Sequence, residues 1–141
     1  MIKWKIAAIV GIAFGLAGTT FGIAQQQRQT ARFFELRTYT ASPDRMDKLL
    51  GRFGNHTLRL FEKHGMTNVG YWTAVNGENA DRTLIYVMAY PSQEAREASW
   101  KAFAADPEWQ KVASESQADG VRLAEKVESR YMKPTDFSPM K

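Results

Sequence analysis

The run TLIYVMAY, residues 83–90, is apolar at almost every position, and this property decides the fold. Its β-branched and aromatic residues predict a strand. A strand covered by helices on one face alone should alternate apolar and polar residues, and this strand does not. Both faces of its sheet therefore need cover. Because a chain of 141 residues has helices for only one face, the pattern predicts a homodimer in which a second copy covers the other.

Strand patterns flank this run on both sides. Strands are predicted at Phe33–Tyr39, Val69–Val75 and Ala124–Met132, from their β-branched and aromatic residues or their alternation. The Asn-Gly turn within Asn76–Asp81 joins the second strand to residues 83–90 as a hairpin. We therefore expect four strands in all.

Helical patterns lie between these strands. An apolar stripe at helical spacing predicts a helix over Met46–His64, which Gly65 ends. A second helix is predicted from the cap Ser92 to about Ala105, and Asp106-Pro107 starts a short third helix. The order is that of a ferredoxin-like βαββαβ unit with an extra short helix. The fold class is thus α+β, with the first and third strands central in an antiparallel sheet.

The first 24 residues are typical of an export leader. Lys3 and Lys5 precede an uncharged run whose most apolar part, Ile6–Leu16, has the length of a signal-peptide core. Small residues up to Ala24 predict cleavage there, and an uncleaved membrane anchor over residues 6–24 is the alternative. We expect an exported protein, periplasmic or secreted, with a signal peptide (1–24), a linker (25–32), the folded domain (33–132) and an extended tail (133–141).

Composition excludes several classes of function. Without Lys3 and Lys5, the 19 basic residues become 17 against 15 acidic ones, a balance of +2 that is too weak to predict nucleic-acid binding. The absence of cysteine excludes disulfides and a cysteine nucleophile. The two histidines, His56 and His64, lie about 12 Å apart along one helix, too far to share a metal ion. We therefore expect neither a metal nor another cofactor.

Five segments, taken in order, resemble the NIPSNAP family. They are FELRTY (34–39), EKHG (62–65), GYW (70–72), ADPEW (105–109) and PTDFSP (134–139). The resemblance implies a dimeric α+β barrel, in which two ferredoxin-like protomers pack sheet against sheet. It implies no settled enzymatic activity. The better-known members belong to mitochondria, and the export leader sets this chain apart from them.

Six side chains are candidates for binding a ligand. On the first helix, one histidine lies at the edge of the apolar stripe, about 80° from its reference direction, and could face the gap between helix and sheet. A strand arginine could anchor a carboxylate. Four aromatic residues could line a cavity for a planar molecule. The set is His56, Arg37, Tyr71, Trp72, Tyr86 and Trp100.

Each charged candidate also has a structural interpretation. Glu35 and Arg37 share one face of a central strand, and a buried pair is costly unless it is hydrogen-bonded. The charged residues of the last strand, Lys126, Glu128 and Arg130, could complete a ladder with them. For His64, beside Gly65, we expect hydrogen bonds to the carbonyls of the last helical turn.

Two classes of function fit these observations. The first is a non-catalytic domain that binds a small hydrophobic or aromatic molecule, or a protein, through the dimeric barrel. The second is a cofactor-free enzyme of monooxygenase or isomerase type, with His56 as general base and Tyr71 or Tyr86 as orienting donor. A haem protein with His56 as axial ligand ranks below both. Since fold alone does not define function, the first hypothesis is preferred.

Overall fold

A computed structural model describes residues 32–141 of the protein. The predicted leader and all of the predicted linker except its last residue lie outside the described residues, so export and cleavage stay predictions. Within residues 32–141, no helix combines the length and the apolar character needed to cross a bilayer.

Strands and helices follow each other in the predicted order. Residues Phe33–Ala41 form β1, and a long helical region comprises α1 (Met46–Arg52), a π-helical segment (Phe53–Thr57) and α2 (Leu58–Lys63). The chain continues through β2 (Thr67–Thr73), a short 3₁₀ turn (Ala80–Arg82), β3 (Thr83–Tyr90), α3 (Gln93–Ala105), α4 (Pro107–Ser116) and β4 (Ala124–Met132).

The strands form one antiparallel sheet in the order β2-β3-β1-β4. The prediction that the first and third strands are central is confirmed. Strand β2 begins two residues earlier than predicted, because the chain enters the sheet directly after the turn at Gly65. A bulge between Asn68 and Gly70 then shifts its register against β3.

All helices pack on one face of the sheet. The helical region buries its predicted stripe, including Leu49, Phe53, Leu60 and Phe61. From the sheet, the even-numbered residues of β3 meet them, and Tyr86 in the middle of that strand has no exposed surface. Burial of these large side chains supplies the main stabilisation of the fold.

The opposite face of the sheet carries no helix, and we call it the outer face. On this face, Leu36 of β1 lies opposite Val87 of β3, and Trp72 of β2 lies opposite Ile85 of β3. Phe34 points to the same face as Leu36, two residues away on β1. Phe34 is buried, three of the others are half-buried, and Trp72 is 54% exposed. The predicted apolar character of β3 on both of its faces is thus present in the structure, and a single chain leaves part of the outer face open.

The π-helical segment changes which side chains face the sheet. The backbone N–H of Leu58 donates to the carbonyl of Phe53, one residue further back than in an α-helix, and the Thr57 hydroxyl donates to the carbonyl of Arg52. Such a wide turn advances each residue by a smaller angle. Phe53 and Thr57 both remain buried, whereas His56 between them is exposed.

Candidate functional site

A closed network of hydrogen bonds surrounds Glu35, which is fully buried in β1. Its carboxylate accepts from Arg96 Nε at 2.9 Å and Nη2 at 2.8 Å, from Arg37 Nη1 at 2.8 Å, and from Tyr90 Oη and Trp100 Nε1 at 3.1 Å. Burial alone would raise the pKa of Glu35, but the hydrogen bonds from Arg96 and Arg37 outweigh burial and lower the pKa to about 2. The carboxylate is therefore ionised at neutral pH.

The predicted charged ladder on the last strand is wrong. The register places Arg37 opposite Ser129, so the alternation of side chains puts Lys126, Glu128 and Arg130 on the outer face. The second cation of the Glu35 network is instead Arg96 of α3. Helical spacing predicts which residues share one face of a helix. Which of its faces is buried depends on how the helix packs.

The guanidinium of Arg37 uses most of its hydrogen-bond donors within this network. Besides Glu35, it donates to Ser129 Oγ at 2.9 Å and to Tyr39 Oη at 3.2 Å, and its guanidinium lies 4.4 Å from the Trp100 ring centroid. Its Nε is buried without a partner among the described residues. The contacts favour the structural interpretation of Arg37 and Trp100 over a ligand anchor.

Tyr71 and Tyr86 lie side by side in the gap between helices and sheet. Their rings stack with centroids 5.1 Å apart, and Phe53 lies 5.3 Å from Tyr86 and Tyr39 5.5 Å. The Tyr86 hydroxyl is buried without a partner in the described part of the chain, and burial raises its pKa. Four predicted site residues, Arg37, Tyr71, Tyr86 and Trp100, thus surround one region, which aromatic rings fill.

Trp72 lies away from these four, on the outer face. It lines a cavity of about 380 Å³ together with Phe34, Val69, Val87 and Met132 of the sheet and with Lys133, Pro134, Thr135, Ser138 and Met140 of the tail. We call this cavity the outer-face pocket. The Trp72 indole covers Gly70, where a Cβ would lie only 2.5 Å from the ring. Gly70 therefore allows the indole to lie against the strand.

His56 does not face the gap between helix and sheet, so that expectation is not met. The wide π-turn moves its side chain outward, into a groove between the first helical region and α4. This helix groove has a volume of about 380 Å³ and is lined by Lys48, Gly51, Arg52, Asn55, His56, Val112, Glu115 and Ser116. A role for His56 in ligand binding stays a prediction, now at a different surface.

Arg52 is a site residue that the sequence analysis missed. Its Nη1 donates to Ser116 Oγ at 3.3 Å, and its guanidinium lies 5.2 Å from the Trp109 ring centroid. Its Nε is buried with no partner in residues 32–141, and burial lowers its pKa. The only signal in the sequence was an arginine beside the apolar stripe of the first helix. That signal does not reveal the contacts of Arg52, because they depend on where α4 packs.

His64 closes the first helical region as expected, since its backbone N–H donates to the carbonyls of Leu60 and Phe61, but its side chain bonds a different partner. His64 Nε2 lies 2.7 Å from a carboxylate oxygen of Asp106. Asp106 also accepts from Lys63 Nζ at 2.7 Å and caps α4 by accepting from the Glu108 backbone N–H at 2.8 Å. The hydrogen bonds from Lys63 and His64 lower the pKa of Asp106. This histidine therefore joins α2 to the start of α4.

Comparison with known proteins gives a family match. A family model described as NIPSNAP matches residues 34–139, nearly the whole described part of the chain. Within the described residues, no three histidine, aspartate or glutamate side chains gather as metal ligands. No curated protein matches the sequence.

Several solved structures have the same fold as this chain. A NIPSNAP family protein of unknown function from Agrobacterium tumefaciens is 25% identical, with a TM-score of 0.68 over 79% of this chain and 96% of that one. A NIPSNAP domain protein from Burkholderia xenovorans is 24% identical, with a TM-score of 0.65 over 76% and 98%.

A monooxygenase from Streptomyces coelicolor, solved with nanaomycin D, is 14% identical, with a TM-score of 0.54 over 79% of this chain and 95% of that one. At that identity the similarity shows the fold alone. With the antiparallel sheet and its helices, these matches confirm the predicted fold class, the ferredoxin-like fold of dimeric α+β barrel proteins.

Proposed function

The chain belongs to the NIPSNAP family, and we propose that it is a non-catalytic binding domain that acts as a homodimer through its outer face. The dimer holds a small apolar or aromatic molecule in the outer-face pocket. The observation that carries this proposal is the apolar sheet face that the helices of the chain leave open.

The outer face suits a second copy of the chain. Leu36, Ile85 and Val87 form an apolar centre on the two middle strands, where they are half-buried in a single chain. The edge strand β4 adds both signs of charge at this face, since Lys126 and Glu128 pair at 3.1 Å. A surface with an apolar centre and mixed charges at one side can pair with itself about a two-fold axis.

The outer-face pocket suits an apolar ligand. Trp72, Phe34 and Met132 offer large apolar and aromatic surfaces, and a cavity of this size accepts a small organic molecule. The tail residues Pro134 and Met140 form its other side. A second copy packed on the same sheet would exclude water from the pocket and strengthen binding.

The geometry gives less support to the enzyme hypothesis. The proposed base, His56, is exposed in the helix groove. Of the two proposed orienting donors, Tyr86 is fully buried among aromatic rings and Tyr71 stacks on it in the gap between helices and sheet. A general base and its orienting donor must both reach one substrate. The arrangement favours binding without catalysis.

Val87→Arg tests the dimer. An arginine at the centre of the outer face would bury an unpaired charge between two copies, so we expect the dimer to split. Light scattering should give twice the chain mass for the wild type and one chain mass for the variant. Val75→Arg is the matched control, because Val75 is 94% exposed beyond the end of β2. A monomeric wild type at micromolar concentration would overturn the proposal.

The ligand is tested with a neutral fluorescent probe, N-phenyl-1-naphthylamine. We expect saturable binding to the wild type and about tenfold weaker binding to Trp72→Ala, because the indole supplies apolar contact worth roughly 1–2 kcal/mol. Phe137→Ala is the control, since Phe137 is 89% exposed and does not line the pocket. Equal binding by all three proteins would contradict a site at Trp72.

A further inference from the structure

Arg52 differs from three other half-buried arginines, Arg37, Arg82 and Arg96, in its partners. Arg37 and Arg96 share the carboxylate of Glu35, and Arg82 pairs with Glu125 at 2.6 Å. For Arg52, no carboxylate of the described residues lies within 4.0 Å, and one hydroxyl is its hydrogen-bond acceptor there. Burial of a guanidinium without a counter-charge is costly, so such a group is normally paired or takes an anionic ligand.

The surroundings of Arg52 form a concave surface with an excess of positive charge. Lys48 and His56 lie on the same helical region and line the helix groove with it. Glu115 is the one acidic residue among those lining it, and Lys111 lies 3.8 Å from that carboxylate. Lys48 itself lies 3.6 Å from Asp119, which Arg45 already pairs at 2.6 Å. The groove therefore retains cationic groups whose charge the nearby carboxylates do not fully offset.

We propose that the helix groove binds a small oxyanion, a carboxylate or a phosphate group, on the guanidinium of Arg52. Arginine presents its donors as a planar fork that matches both kinds of anion. Nη1 of Arg52 is held by Ser116, and no carboxylate of the described residues pairs with the guanidinium. The oxyanion supplies the counter-charge at the guanidinium, and Lys48 and His56 line the same groove. The ring of Trp109 at 5.2 Å holds the guanidinium in position.

The glycine at the groove sets the space for the ligand. A Cβ built at Gly51 meets no atom within 4 Å, so this residue leaves the groove open. Val112 on the facing helix gives an apolar contact for the body of an organic acid. A volume of about 380 Å³ fits a molecule of the size of benzoate. This site lies on the helical side of the sheet and is separate from the outer-face pocket.

Three small probes test the charge requirement on the purified protein. Calorimetric titration is carried out with sodium benzoate, inorganic phosphate and the neutral isostere benzamide, at constant ionic strength set with sodium chloride. We expect saturable binding of benzoate, of phosphate or of both, and at least about tenfold weaker binding of benzamide, as expected for a charge-assisted contact. Binding of benzoate alone identifies an organic acid, and binding of phosphate alone identifies a phosphate group as the oxyanion.

Two matched pairs of variants locate the site. Gly51→Leu should fill the groove and abolish binding without loss of stability, because there is room for the side chain and leucine favours a helix over glycine. Gly54→Leu is its control, since Gly54 is equally open but does not line the groove. Arg52→Gln should weaken binding by about tenfold or more, whereas Arg59→Gln, on an arginine that pairs with Glu108 outside the groove, should leave it unchanged.

Loss of anion binding in Gly51→Leu with retention in Gly54→Leu supports the site even if Arg52→Gln fails to fold. Absence of saturable benzoate and phosphate binding by the wild type overturns the proposal, as does equal binding of benzamide. Unchanged binding by a folded Arg52→Gln would overturn it as well. None of these results depends on the dimer or on the neutral probe of the outer-face pocket.

Discussion

Glu35 is a fully buried carboxylate that two guanidinium groups, a phenol and an indole N–H all contact. Removing its charge leaves Arg37 and Arg96 without their shared partner. Because a broken buried ion pair leaves an uncompensated charge, we expect Glu35→Gln to lower the free energy of unfolding by about 3 kcal/mol. Urea unfolding measures this. Glu128→Gln, on an exposed carboxylate of the same sheet, should change it by less than about 1 kcal/mol.

The same residue predicts a dependence of stability on pH. The pKa of Glu35 is about 2 in the folded protein, below its ordinary value of 4.5. A carboxyl whose pKa is lowered on folding adds stability that is complete above the ordinary value and is lost as pH falls towards the folded one. The wild type should therefore lose stability between about pH 4.5 and 2 more steeply than Glu35→Gln does. Parallel losses in both proteins would contradict this assignment.

The two histidines give a second comparison at the residue scale. His64 contacts Asp106 and is 15% exposed, so His64→Ala should lower the melting temperature by several degrees because the link between α2 and α4 is lost. His56 is exposed and has no hydrogen-bond partner among residues 32–141. His56→Ala should leave the melting temperature within about one degree of the wild type. A larger drop for His56→Ala than for His64→Ala would show that their roles are reversed.

At the scale of elements, local pattern predicted most of the fold. Strands β3 and β4 have the predicted bounds, and α3 and α4 begin at their predicted caps, where Ser92 accepts from the Ala95 N–H and Asp106 from the Glu108 N–H. These features depend on neighbours in sequence, such as caps, turns and alternation. They are therefore accessible without tertiary information.

The candidate sites were harder to predict from the sequence than the fold, for a physical reason. The π-helical segment inserts an additional residue into a turn. Helical periodicity does not reveal such an insertion, so it does not predict the orientation of His56. Arg96 and Arg52 acquire their roles from contacts with β1 and α4, more than fifty residues away in the chain. Such contacts depend on how the elements pack, which periodicity does not define.

At the scale of the whole molecule, the two faces of the sheet differ in how fully one chain covers them. The helical face holds the Glu35 network and the aromatic cluster around Tyr86, which fill the interior of one chain. The outer face holds Leu36, Val87 and Trp72, which a single chain leaves partly open. A fold with this asymmetry would gain stability if two copies joined their outer faces as proposed, because each copy would remove apolar surface of the other from water.

Coupling between folding and assembly follows from that gain. If the outer faces pair, the folded dimer is favoured by mass action, so the melting temperature of the wild type should rise by several degrees over a roughly 100-fold increase in concentration. Val87→Arg should melt lower and independently of concentration, because its monomer has no partner to lose. Val75→Arg should behave like the wild type, since Val75 lies beyond the end of β2 and is almost fully exposed. Calorimetric scans of the three proteins at matched concentrations make the measurement, and a wild-type melting temperature that does not change with concentration would exclude the coupling.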